Sequence, residues 1–199
     1  MCAHAAAPRR RRHLRLFLLL CALALFALAC ALIYPSVSRN AMYSTQYEDL
    51  VDAAAREFGL DRAHIYAVIQ CESGFRKDAV SSAGAMGLMQ IMPETGQCIA
   101  GKFGEEELFA QDMLFEPEMN IRYGCWLLSY LSGRYGGDMD TVSAAYHAGI
   151  GNVGKWLDDA KYSADGLTID TTPFPGTNRY MEKVRKAYEV YAKKLAKEA

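Results

Sequence analysis

The chain has 199 residues, a length that suits one domain with an appendage and leaves little room for two domains. Its hydrophobic fraction of 51% is ample for a packed core. Residues 41–199 hold all 23 acidic residues but only 16 of the 22 basic ones, which gives this part a net charge of −7. Because nucleic acids are bound by basic surfaces, this balance argues against a nucleic-acid partner.

The N-terminal residues predict export from the cytoplasm. Five arginines come before an apolar run without a charge over residues 16–33. About 20 apolar residues span a bilayer, and basic residues before such a span keep the N-terminus in the cytoplasm. We therefore predict a cytoplasmic basic segment over 1–13, a single-pass transmembrane signal anchor over 14–34, a linker over 35–44 and an extracytoplasmic domain over 45–199.

Two other fates of the apolar segment stay open. Residues 27–29 read Ala-Leu-Ala, which resembles the site at which a signal peptide is removed. Cys30 follows directly and offers a position for a lipid, although Ala27 is a poor match to the leucine usual in a lipoprotein box. All three interpretations export residues 45–199.

The pattern of residues 45–199 predicts a mostly α-helical domain. Gly59 is placed to stop the first helix, while Asp61 and Asp138 are placed to cap later ones. Helices are predicted over 45–58, from Asp61 to about Ser73, from Pro93, from Pro117 to about Arg134, from Asp138 to Gly149, and from near Thr177 almost to the end. A short hairpin between residues 161 and 174 is the one strand signal.

The cysteines and histidines predict neither a metal nor a cofactor. Cys71, Cys98 and Cys125 show no CxxC or Cys/His spacing, and the four histidines are scattered. Three cysteines in the body permit at most one disulfide, and burial as small apolar side chains is the favoured interpretation.

One acid lies on an apolar stripe. Ile65, Val68, Ile69 and Glu72 follow at i, i+3, i+4 and i+7, which places them on one face of a helix. A carboxyl group on a core-facing stripe is expected to have a raised pKa, as a general acid at neutral pH requires. Periodicity alone leaves open that Glu72 turns outward or pairs with Arg76.

A glycine-rich loop follows this acid between Ser81 and Pro93. Gln90 offers both donors and acceptors, which suits the hydroxyl and acetamido groups of sugars. Met89 and Met92 offer adaptable apolar surface. By itself the segment fits a ligand-binding loop and a tight turn between helices equally well.

Three segments in order resemble the soluble lytic transglycosylases. Residues 72–75 (ESGF) with 84–93 (GAMGLMQIMP) are similar to the catalytic region of that family. Residues 144–149 (AAYHAG) with 151–153 (GNV) resemble its second motif, and Phe174-Pro175, Arg179-Tyr180 and Val184 resemble its third. Order and spacing agree from about Gln46 to Tyr191, nearly the whole body.

The resemblance implies a lysozyme-like α fold with a groove for a peptidoglycan glycan strand. It implies an enzyme that cleaves the β-1,4 bond from N-acetylmuramic acid to N-acetylglucosamine and closes a 1,6-anhydro ring. Glu72 would serve as acid and then base, with Tyr180 as its hydrogen-bonding partner. The residues expected to bind substrate are Ser81, Gly87, Met89, Gln90, Met92, Tyr146, His147 and Ala148. Recruitment by cell-envelope assembly machinery is left open.

Tyr180 has support from periodicity as well. It begins an apolar stripe of the last helix, made up of Tyr180, Val184, Ala187, Tyr188, Tyr191 and Leu195. Its ring is therefore expected to point inward, where the hydroxyl needs a partner.

The chain departs from the family pattern at two places. His147 stands where the second motif usually has asparagine, so we expect activity to fall more steeply toward acid pH. Gly176-Thr177 replaces the glutamate-threonine pair of the third motif, and Thr177 and Asn178 are expected to cap the helix. Two other functions stay open, a lysozyme-type hydrolase on the same fold and a catalytically idle glycan-binding scaffold.

Overall fold

The computed structural model describes residues 18–20, 23, 25–28 and 43–197. The described residues before 43 are helical, with exposed leucine and phenylalanine side chains, and they form a unit separate from the body. In the described ranges, no helix combines the length and apolar character needed to cross a bilayer. The predicted basic segment 1–13, most of the anchor 14–34 and most of the linker 35–44 lie outside the described residues.

The body is mostly α-helical, as the sequence predicts. Residues 43–197 form the helices α1 (Glu48–Phe58), α2 (Arg62–Glu72), α3 (Pro93–Phe103), α4 (Pro117–Arg134), α5 (Met139–Ala148), α6 (Ile150–Leu157) and α7 (Pro175–Leu195). Two short 3-10 helices, Glu106–Leu108 and Gln111–Phe115, connect α3 to α4.

Local chemistry explains most of the helix ends. The Asp61 carboxylate accepts the amide hydrogen of Ala63 at 2.9 Å, and the Asp138 carboxylate accepts that of Thr141 at 2.8 Å. Both predicted aspartate caps are confirmed. α1 begins three residues later than predicted because Tyr47, just before it, has a left-handed φ of 64°.

Sequence reasoning missed one helix and misassigned a helix cap in the last third of the chain. α6 was not predicted, because Gly151 and Gly154 are poor helix formers, yet burial of Val153 and Trp156 stabilises it. α7 begins at Pro175, so Thr177 and Asn178 lie in its first turn and do not cap it. The Asn178 side chain instead binds the backbone of the preceding loop.

The expected hairpin between residues 161 and 174 is absent. Residues 43–197 contain no strand, only isolated bridges that join Val80, Met86 and Ile91. Asp165 shapes the 161–174 segment as a series of turns, since its carboxylate accepts the amide hydrogens of residues 167 and 168, each at 2.8 Å. These bonds lower the pKa of Asp165 to about 2.

Packing in the core determines the position of the C-terminal end of α2. α2 packs mainly against α7, and the rings of Tyr66 and Tyr191 stack between them at 5.3 Å. Ile65 and Ile69 of α2 and Val184 of α7 are fully buried. The same packing brings the C-terminal end of α2 beside the first turns of α7.

The three cysteines of the body are free thiols. Cys125 is buried as predicted and Cys71 is partly buried, but Cys98 is exposed, so the prediction of burial was wrong for Cys98.

Candidate active site

Glu72 and Tyr180, which are 108 residues apart, meet where α2 ends beside α7. The Tyr180 hydroxyl donates to Oε1 of Glu72 at 2.5 Å, and the tyrosine side chain is buried. This is the partner that the sequence comparison predicts for Tyr180. Arg76, the alternative partner of Glu72, instead donates to the backbone carbonyl of Ser73 at 2.9 Å.

Burial sets the protonation of Glu72. Removal from water raises its pKa from 4.5 to about 7, although the hydrogen bond from Tyr180 acts in the opposite direction. No second carboxylate of the described residues contributes to this shift. A carboxyl group with such a pKa can donate a proton near neutral pH and then take one back.

We expect Tyr180→Phe to lower activity by roughly 10- to 100-fold and to move the alkaline limit of activity to higher pH. The hydroxyl orients the Glu72 carboxyl, and its hydrogen bond lowers the Glu72 pKa, so its loss should raise that pKa further. The measurement is the pH dependence of kcat/KM. Tyr188→Phe is the matched control, because that α7 tyrosine bonds to Asp61 at 2.8 Å, away from Glu72. An alkaline limit at the same pH in both variants would contradict the assignment.

His147 covers the ring of Tyr180. The two rings stack with centroids 4.6 Å apart and planes 14° apart, while the rest of His147 is exposed. Burial of the stacked face lowers the pKa of His147 below its ordinary 6.5. The imidazole is therefore neutral at pH 7 and gains its charge only in acid.

We expect His147→Asn to weaken the loss of activity on the acid side. Below the lowered pKa of His147, an imidazolium would lie on Tyr180 and oppose the positive charge that develops on a sugar ring during glycosidic cleavage. The measurement is kcat/KM from neutral pH to well below 6.5. His64→Asn is the control, because His64 also has a pKa lowered by burial but packs on Tyr188. Identical acid profiles for wild type and His147→Asn would refute the prediction.

Tyr146 links α5 to the glycine-rich loop. Its hydroxyl donates to the backbone carbonyl of Met89 at 2.8 Å. The Met89 side chain is fully buried and lies against α4 at Gly124, where an added Cβ would come within 2.7 Å of the Met89 Cβ. Because its side chain is buried, Met89 can affect a bound ligand only by shaping the loop.

The Gln90 side chain is used within the loop. Its Nε2 donates to the carbonyls of Ala79 at 3.1 Å and Gly87 at 3.0 Å. Its backbone has a left-handed φ of 51°, uncommon for a residue with a side chain and frequent at functional sites. These two bonds hold the loop closed and leave Gln90 partly exposed.

Asn120, which sequence reasoning missed, holds the loop from below. It is fully buried on α4; its Oδ1 accepts from the Met89 amide at 2.7 Å, and its Nδ2 donates to the carbonyls of Met86 and Leu114. Gly87 passes directly over it, with no room for a side chain. The signal was present, because Asn120 occupies the same apolar stripe of α4 as the buried Gly124, Leu128 and Leu131.

Of the remaining predicted site residues, Ser81, Met92 and Ala148 are partly exposed and Gly87 is buried. Ser81 accepts the amide hydrogen of Ala85 at 3.0 Å and so shapes the start of the loop. Met92 precedes α3 and Ala148 ends α5, and both are partly exposed. Gly87 is buried, so like Met89 it contributes only to the shape of the loop.

Comparison with known proteins agrees with this geometry. A carboxyl group of near-neutral pKa is the type of group that serves as general acid in enzymes that cleave glycosidic bonds. Residues 49–168 match the family described as the transglycosylase SLT domain. The chain belongs to this family, and its body has the lysozyme-like fold of these transglycosylases.

Individual relatives are similar over most of this chain. A soluble lytic murein transglycosylase of Salmonella typhimurium is 33% identical over 146 residues, covering 73% of this chain and 22% of that protein. A membrane-bound lytic murein transglycosylase C of Klebsiella pneumoniae is 31% identical over 169 residues, covering 75% and 47%. An inactive mutant of the lytic transglycosylase Slt from Pseudomonas aeruginosa superposes with a TM-score of 0.69 at 34% identity, covering 77% and 25%. The chain thus spans less than half the length of these relatives.

Proposed function

We propose that this protein is a peptidoglycan lytic transglycosylase that uses Glu72 as its only acid and base. The observation that carries the proposal is the partly buried Glu72–Tyr180 hydrogen bond inside a domain of the SLT family. The Pseudomonas aeruginosa relative is described as inactive after a glutamate was replaced by glutamine, which supports an essential glutamate in such enzymes.

In the first step, the protonated Glu72 carboxyl donates its proton to the glycosidic oxygen between N-acetylmuramic acid and N-acetylglucosamine. The bond from the muramic C1 to that oxygen breaks, and the acetamido oxygen of the same sugar bonds to C1. The leaving N-acetylglucosamine carries the proton away as a hydroxyl group. The partly buried site favours the neutral acid that this step requires.

In the second step, the Glu72 carboxylate removes the proton of the muramic 6-hydroxyl. The 6-oxygen then bonds to C1 as the acetamido oxygen leaves, which closes the 1,6-anhydro ring and returns Glu72 to its protonated form. Water is not consumed. Many glycosidases use two carboxylates, whereas a substrate acetamido group replaces the second one in some families.

The glycan strand would lie between the glycine-rich loop and the end of α5. Tyr146 and His147 approach from α5, and Ser81, Gln90 and Met92 from the loop. Gly87 and Met89 would act by fixing the loop, and Ala148 by its small side chain at the partly exposed end of α5. This arrangement fits a ligand that is mostly hydroxyl and acetamido groups.

We also propose that a signal anchor over 14–34 holds the domain 45–199 outside the cytoplasm. The linker 35–44, about ten residues, would extend roughly 35 Å at most, so cleavage would occur near the membrane. A membrane-bound relative supports this location. Fractionation of the full-length chain with a C-terminal epitope tests it, because removal of the segment would release a shorter soluble product.

The decisive experiment is mass spectrometry of purified peptidoglycan after digestion by the full-length protein, beside Glu72→Gln. We expect anhydromuropeptides from wild type and none from the variant. Products with reducing muramic acid ends would replace the proposal with a lysozyme-type hydrolase. Binding without products from either protein would replace it with a glycan-binding scaffold.

A further inference from the structure

A cleft lined by aromatic residues lies on the far side of α4 from the candidate active site. Gly124, Leu128 and Leu131 occupy the face of α4 that points to the core and to the glycine-rich loop. The opposite face borders a cleft of about 780 Å³, lined by Glu57, Phe58, Phe103, Trp126, Ser129, Tyr130, Gly133 and Arg134. Its volume lies in the range of small-molecule and cofactor pockets.

Two stacked aromatic rings lie in this cleft. Trp126 and Tyr130 stack with planes 3° apart and centroids 5.6 Å apart, and Tyr130 is 45% exposed. Phe103 packs edge-on against Trp126 from α3 and fixes its orientation. An added Cβ at Gly133 would meet nothing within 4 Å, so the cleft is open at this position.

The rim of the cleft carries polar groups of both signs. Arg122 pairs with Glu57 at 2.9 Å and also lies over the Phe103 ring, 4.1 Å from its centroid. Arg134 is exposed at the other end, and Ser129 donates to the carbonyl of Phe58 at 3.0 Å. Fixed charged groups beside apolar rings suit a ligand that has both apolar faces and hydroxyl, amide or carboxylate groups.

We infer that this cleft is a second carbohydrate-binding site for β-1,4-linked N-acetylhexosamine chains. This inference rests on the proposed function, because the substrate of that reaction is a polymer long enough to contact two faces of one domain. The C–H face of a pyranose ring packs on aromatic rings, and the rim bonds to its hydroxyl and acetamido groups. An anionic membrane surface fits the cleft less well, since residues 41–199 carry a net charge of −7 and the rim includes Glu57.

The chain offers a direct optical test because it contains only two tryptophans. In the full-length protein with Trp156→Phe and Glu72→Gln, Trp126 is the single tryptophan. The Glu72→Gln substitution also prevents cleavage of the oligosaccharide added as ligand. Chitohexaose, titrated in a polyoxyethylene detergent free of sugar headgroups, should change Trp126 emission in a saturable manner. Adding Tyr130→Ala should weaken this binding roughly tenfold, whereas Tyr130→Phe, which keeps the ring, should retain it.

Three outcomes would overturn the inference: no saturable change at Trp126, equal affinity in the Tyr130→Ala protein when circular dichroism shows it folded, or a response to phosphatidylglycerol vesicles alone. Because the readout is binding, its failure is separate from that of the proposed function. Anhydro products without a Trp126 response would remove only the second site. A Trp126 response without such products would remove only the transglycosylase.

Discussion

Glu72→Gln will reduce peptidoglycan cleavage by roughly 10²- to 10⁴-fold, the range expected for loss of a general acid. The glutamine side-chain oxygen can still accept the hydrogen bond from the Tyr180 hydroxyl, and the side chain fills nearly the same volume. It has no acidic proton to transfer to the glycosidic oxygen. The activity of the wild type should fall as pH rises through about 7, because the Glu72 carboxyl loses its proton there.

The same substitution should stabilise the protein at neutral and alkaline pH. The pKa of Glu72 is raised by burial, so the folded state holds the proton more tightly than the unfolded state does. The stability that this group contributes is therefore fully present below pH 4.5 and is lost as the pH rises through about 7. A pKa raised to this extent corresponds to about 3 kcal/mol in the free energy of unfolding. The neutral glutamine would keep this stability above pH 7.

Urea unfolding of wild type and Glu72→Gln at several pH values checks the stability part, and release of muropeptides checks the rate. Glu189→Gln is the matched control, since that glutamate lies exposed on α7. A stability gain that did not grow between pH 4.5 and 7, or a rate within a few fold of wild type, would show that Glu72 is not a buried general acid.

The parts of the fold that sequence predicts are those with local causes. The caps Asp61 and Asp138 act within three residues, and the two apolar stripes that carry Glu72 and Tyr180 repeat every 3.6 residues. Periodicity predicts that the Tyr180 ring points inward, whereas for Glu72 it left an outward orientation open until the family resemblance was considered. Their contact required the family resemblance, because 108 residues separate them.

What sequence did not predict depends on tertiary contacts. Gln90 offers groups suited to sugars, but its amide closes the loop, and nothing local indicates that its partners are the carbonyls of Ala79 and Gly87. α6 contains two glycines and is helical because Val153 and Trp156 are buried. Glycine patterns alone likewise do not separate Gly84, which faces open space, from Gly87, which has none.

Gly87→Ala will be among the most destabilising single substitutions in the body, with a loss of about 3–5 kcal/mol or failure to fold. A Cβ there would lie 2.2 Å from the backbone oxygen of Leu114 and 2.2 Å from the Nδ2 of Asn120. The first contact is with backbone, and the second is with a buried amide whose three hydrogen bonds hold the loop. Neither neighbour can move without breaking these bonds.

Gly84→Ala separates this clash from backbone strain. Gly84 has a φ of +90° and Gly87 one of +79°, so both alanines are strained by similar backbone geometry. A Cβ at Gly84 would meet nothing within 4 Å, and we expect Gly84→Ala to cost only about 1–2 kcal/mol. Thermal unfolding of both variants measures the difference. Equal losses would mean that the positive φ, and not the contact with Asn120 and Leu114, requires glycine at position 87. A much larger loss for Gly87→Ala would show that close packing of the loop on Asn120 and Leu114 requires it.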